Sequence, residues 1–155
     1  MRKSLLVLIS HAVITSCRPA PVPELWVIPK GYVGWLRLDY AVANAPPLSL
    51  ENGKYLVRPI GNHRVRTSST NDTRVDQNDY MMEGPTGGQR LVFSTTPTSG
   101  YAVQNAYTVR ALNAPTARFE CVFVGTRVDF KANHEDCSHW ADDQSSPPLF
   151  RKPGE

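Results

Sequence analysis

The chain has 155 residues, 41% of them hydrophobic and 20% charged, which suits one ordinary domain and excludes a disordered charged tail or a multi-span membrane protein. Thirteen Pro and 10 Gly with no three-residue period exclude collagen and disfavour long helices. Seventeen Lys and Arg against 14 Asp and Glu give a formal charge of +3, two of those cations lie in a segment read below as removed, and the near-neutral remainder carries no electrostatic case for nucleic-acid binding.

The first 17 residues read as an export leader. Arg2 and Lys3 precede a short apolar run, Leu5 to Ile9 and Ala12 to Ile14, roughly half the ~20 residues that a spanning helix needs. Ile14-Thr15-Ser16-Cys17 follows: a branched aliphatic, two small residues, then a cysteine. This resembles the lipobox of bacterial lipoproteins, with His11 inside the apolar run as a departure. The resemblance implies cleavage between Ser16 and Cys17, acylation of Cys17, and membrane lipid as a partner through the acyl chains. An ordinary secretory leader is the competing reading. Two or more acyl chains hold stably where one is marginal, at ~0.8 kcal/mol per buried methylene. Arg18-Pro19-Ala20-Pro21-Val22-Pro23 favours an extended run rising ~3.1 Å per residue, so the tether over 17–23 keeps the body within roughly 20 Å of the lipid. By similarity to enterobacterial sorting, Arg rather than Asp at position 18 favours the outer over the inner membrane.

From residue 24 the hydrophobic period is mostly two. Leu25 to Ile28 is a short strand candidate. In Gly34 to Val42 the side chains of Leu36, Leu38, Tyr40 and Val42 share one face, while Trp35, Arg37 and Asp39 share the other, as in a half-buried antiparallel strand. Tyr55 to Ile60, Arg64 to Thr67 and Arg90 to Ser94 are further candidates, and Gly61-Asn62 between the first two reads as a hairpin turn. Tyr101 to Arg110 places Tyr101, Val103, Tyr107 and Val109 inward, with Asn105 a flaw in that face. Phe119 to Val124 is apolar on both sides and reads as a central strand. Gly- and Pro-rich turns separate these runs. The expected fold is all-β: a single antiparallel sandwich or small barrel of about seven strands over residues 24–141, with a short helix near 131–140 and a frayed tail at 142–155.

Ile28-Pro29-Lys30-Gly31-Tyr32-Val33-Gly34-Trp35, with Pro46-Pro47, Arg58-Pro59-Ile60-Gly61, Arg66-Thr67-Ser68-Ser69 and Phe123-Val124-Gly125-Thr126, resembles an uncharacterised family of exported bacterial β domains. The resemblance runs from about Pro23 to Phe130 and departs from the family where Asn62 and His63 follow Gly61. It implies a secreted or anchored β domain and carries no activity. Read from the residues alone, Pro29 ends the first strand, Gly31 and Gly34 permit a tight bend, and Tyr32 covers the end of the sandwich.

Three cysteines is an odd number for an exported chain. With Cys17 acylated, Cys121 and Cys137 remain either as a bridge, worth ~3 kcal/mol by loop closure, or as independent thiols. His134-Glu135-Asp136-Cys137-Ser138-His139 gathers zinc-ligating types, with His134, Cys137 and His139 as candidates, but its spacing matches no established metal pattern. Asn71 to Asp79 is rich in oxygen ligands without the EF-hand order, and a polar loop explains it equally well. Gly84 to Arg90 has no lysine after its glycines and is not a phosphate loop. Trp35 beside Arg37, with Tyr32 nearby, is a candidate platform for a glycan or a partner's aromatic group unless another part of the fold covers it. The functional expectation is a lipid-anchored module of the bacterial cell envelope, non-enzymatic and without cofactor, acting structurally or on an envelope protein. The alternatives are a ligand- or glycan-binding lipoprotein and a metal site at His134, Cys137 and His139.

Overall fold

The structure, a computed structural model, describes residues 20–59, 61, 63–70, 74–85, 87–96, 98–111, 114–133 and 137. The expected leader, Ser16, Cys17, His134, His139 and the tail at 142–155 lie outside the described residues.

Nine strands among the described residues form two sheets. The first contains β1 (Glu24–Ile28), β3 (Ser49–Glu51), β4 (Lys54–Val57), β6 (Asp79–Met82) and β7 (Gln89–Leu91), in the order β3-β4-β1-β6-β7. The second contains β2 (Gly34–Asp39), β5 (Arg64–Arg66), β8 (Ala102–Ala111) and β9 (Ala114–Gly125), in the order β5-β2-β9-β8. They pack as an open sandwich, so the all-β expectation holds and the barrel alternative falls away. Trp26, Ile28, Val57 and Tyr80 from the first sheet meet Leu36, Leu38, Val122 and Val124 from the second in a buried core.

The sheets are mixed, a correction to the antiparallel expectation. β1 pairs parallel with both β4 and β6, and β2 pairs parallel with β5. The cause is a chain that shuttles between sheets. Tyr32 N–H bonds back to Pro29 C=O at 3.1 Å, and Gly31 takes φ +72° in that turn, a conformation cheap only for glycine. The chain thus leaves β1 for the second sheet, and later returns bring β4 and β6 alongside β1 in the same direction. Gly61 likewise sits at a crossing: β4 and β5 belong to different sheets, so the expected hairpin does not form. Alternation reveals which face of a strand is buried; it says nothing of the neighbour's direction.

The flaw at Asn105 has a structural explanation. The β8–β9 register slips between Val103 and Asn105, so Val103 pairs with Val124 and Ala106 with Val122 on the core face, while Tyr107 pairs with Cys121 on the outer face. A bulge at Gln104 therefore turns Tyr107 outward, against the sequence expectation. Gln104 is itself buried. Its Nε2 donates to Gly100 C=O and Gly125 C=O, both at 2.9 Å, and its Oε1 accepts from Thr98 N–H at 2.7 Å.

The helix starts earlier than expected. α1 (Arg127–Ala132) is opened by a capping box in which Thr126 N–H donates to the Asp129 carboxylate at 2.8 Å and Asp129 N–H donates to Thr126 Oγ1 at 3.3 Å.

Gln104→Ala leaves the buried Gly125 carbonyl and the Thr98 N–H without their side-chain partner. We expect a loss of roughly 1–3 kcal/mol, read as a lower urea midpoint at unchanged slope.

Candidate functional site

The outer face of the second sheet is covered. Trp35, Tyr107, Phe119, Cys121 and Phe123 form its floor, and Phe130 of α1 and Cys137 close over it. The Trp35 ring meets Phe123, Tyr107 and Phe130 edge-on at 5.3, 5.8 and 6.1 Å. Trp35 is 3% exposed, so the expected exposed platform is instead a small second core.

Arg37 is buried on the same face. Its guanidinium bonds Asp39 at 2.8 Å, donates to Cys137 C=O at 2.9 Å and lies 3.8 Å from the Phe119 ring centre. Arg64 also bonds Asp39. Tyr32 stands apart, at the end of the sandwich. Its hydroxyl donates to Trp35 C=O, its own carbonyl accepts from Tyr101, and its ring packs 5.0 Å from His63. Burial, with Tyr101 beside it, pushes the Tyr32 phenol well above its usual range. The structure thus does not bring Trp35, Tyr32 and Arg37 together on an open surface.

Cys121 and Cys137 are bridged, with Cα atoms 6.0 Å apart. The bridge uses the sulfur that a His134, Cys137 and His139 metal site would need, and no cluster of metal-ligating side chains occurs among the described residues. In the polar run ending at Asp79, Asp76 pairs with Arg74, and Asp79 pairs with Lys54 and Arg90. Lys54 above all, then Arg90, holds the Asp79 carboxyl below its ordinary value against partial burial. Among the described residues, these acids have cationic partners in place of a calcium ion.

The open surface lies on the other side of the molecule. In the first sheet Leu25, Val27, Leu56 and Met81 point away from the core and floor a groove of about 570 Å³. Strand register explains this: Leu56, Leu25 and Asp79 stand abreast, so the even face of β4 and the odd face of β1 and β6 look outward together. Lys30, Glu51, Arg58, Glu83 and Pro85 rim the groove, and Arg58 bonds Glu83 at 3.0 Å. At the β1 N-terminal end the same face turns ionic, through Lys54, Asp79 and Arg90. Among the described residues the lining includes no aromatic ring, so an aliphatic group suits it better than a stacked sugar. Sequence reasoning missed this groove because its floor is shared by three strands far apart in the chain.

No protein-family model matches the sequence, and no curated protein matches it. Among solved structures, a candidate lipoprotein from Bacillus anthracis matches with a TM-score of 0.50 and 20% identity, over 81% of this chain and 85% of that one. At that identity the likeness shows a shared fold. No helix among the described residues is long and apolar enough to cross a membrane.

Cys137→Ser opens the bridge across 16 residues of chain and should lower stability by about 3 kcal/mol. The check is chemical unfolding of the variant, alongside alkylation of the wild type, whose Cys121 and Cys137 should react only after reduction.

Proposed function

We propose that this chain is a lipid-anchored, non-enzymatic module of the bacterial cell envelope, held by acyl chains on Cys17 and acting as a structural or interaction unit. The observation that carries the reading is the order of parts. A basic, apolar leader ends in Ile14-Thr15-Ser16-Cys17, a proline-rich tether follows, and the folded body begins with β1 at Glu24. The fold likeness to the Bacillus anthracis candidate lipoprotein supports the same reading. Arg18 favours the outer membrane where the bacterium has one. Cys17→Ala should abolish incorporation of labelled palmitate and leave the protein unanchored in washed-envelope fractionation. Continued sedimentation with envelopes after that change would refute lipid anchoring.

A second reading, a ligand-binding lipoprotein, is favoured by the groove on the first sheet and not by Trp35. Its floor of Leu25, Val27, Leu56 and Met81 suits an aliphatic portion of a ligand or envelope partner. A fluorescent aliphatic probe should bind the wild type with micromolar affinity, about 8 kcal/mol, and Val27→Lys, which places a charge on the floor, should weaken it at least tenfold. Equal binding by both proteins would remove this reading.

A further inference from the structure

Two buried carboxyl groups approach each other between the sheets. Glu24 opens β1 in the first sheet, Glu120 lies on β9 in the second, and both are 0% exposed. Asn78, just before β6, ties them together. Its Nδ2 donates to Glu120 Oε1 at 2.9 Å and to Glu24 Oε2 at 3.3 Å, while its Oδ1 accepts from Glu24 N–H at 3.0 Å. Trp26 Nε1 donates to Glu24 Oε2 at 3.2 Å.

Tyr40, just beyond β2, reaches both acids. Its hydroxyl bonds Glu24 Oε1 and lies 3.2 Å from Glu120 Oε2. A phenol carries one proton and can donate to one of them. The other contact then needs a proton from the carboxyl side. Glu24 already receives donors from Tyr40, Trp26 and Asn78, the environment of an ionised carboxylate. Glu120 receives Asn78 on Oε1 and turns Oε2 toward the Tyr40 oxygen. We propose that Glu120 is a protonated carboxylic acid at neutral pH, donating from Oε2 to Tyr40, so that the Tyr40 proton goes to Glu24 and ties the second sheet to the start of β1.

The surroundings favour the neutral acid. Burial first, and then the charge on Glu24, push Glu120 well above its ordinary 4.5, against the opposing bond from Asn78 and the charge of Arg118. Arg118 lies on the same strand, but its guanidinium sits 4.1 Å from the Tyr40 ring centre. From β6, Tyr80 is held neutral, above all by burial. From β4, Tyr55 is the register partner of Glu24. Asp76, in the 3-10 turn Val75–Gln77, is exposed and paired with Arg74. Leu38 and Thr108, which flank Glu120 in the sheet, carry no charge.

A carboxyl that resists ionisation in the folded state contributes its full stability below its unfolded value near 4.5. That contribution falls as pH rises, by about tenfold in the folding equilibrium per pH unit, until the folded group itself ionises. The test is urea unfolding of the full chain between about pH 5 and 9 for wild type and Glu120→Gln, whose amide keeps an N–H where the acid proton stood. We expect wild type to lose stability relative to the variant by about tenfold per pH unit before the difference levels off; parallel curves would overturn the proposal. Infrared spectroscopy of the wild type supplies a second reading that needs no stable variant. A protonated-carboxyl band should persist at neutral pH, and its absence would overturn the assignment. Its survival in Glu120→Gln would do the same.

Discussion

Along residues 118–125, strand β9 has no face left for water, and most of the architecture follows from that. Its inner side carries Glu120, Val122 and Val124 into the core between the sheets, and its outer side carries Phe119, Cys121 and Phe123. A strand apolar on both sides needs a layer on each. The first sheet supplies one, and α1 with the Cys121–Cys137 bridge supplies the other. The reversal from strand to helix passes through Gly125, at φ +151°, where a Cβ would sit 3.1–3.2 Å from Phe123, Asp129 and Val33. Trp35 and Arg37 lie on the neighbouring strand, on the covered side, so they are buried for the same reason.

The strand faces were largely readable. Leu36, Leu38 and Tyr40 do point inward, Trp35 and Arg37 do point the other way, and the odd cysteine count did leave Cys121 and Cys137 to pair. Strand direction was not readable, because the period of two is identical in parallel and antiparallel sheets. The bulge at Gln104 was announced only by a polar residue, Asn105, at a position due to be apolar. β6 went unnoticed because Asp79 to Met82 adjoins a long polar run, and β3 because it has three residues, with Leu50 60% exposed. The Thr126–Asp129 capping box was legible in principle from a hydroxyl and a carboxylate three residues apart.

Sites proved harder to read than strands, since a site depends on what covers what. Trp35 looked like a surface because nothing in its own strand hides it; the cover comes from Phe130, almost a hundred residues later. The groove on the first sheet and the Asn78 and Tyr40 bridges between Glu24 and Glu120 have the same character, each joining residues that periodicity treats as unrelated. β1 takes part in both. Its odd residues Leu25 and Val27 floor the groove, its even residues Glu24, Trp26 and Ile28 enter the core, and its first residue directly follows the proline-rich run. Motion at the start of this strand would be felt by the groove and the core together.

The parallel neighbours of β1 also set an order of events. Glu24 pairs opposite Tyr55, and Leu25 opposite Asp79. A chain emerging from its N-terminus therefore presents β1 long before either flank exists, and no local hairpin can occupy its ladder meanwhile. Closing such loops has an entropic cost that nearby contacts cannot offset beforehand. The nascent protein thus spends its youth with Trp26, Val27 and Ile28 bare, and the interval before residues 79–82 arrive is when a sticky apolar segment most needs a chaperone.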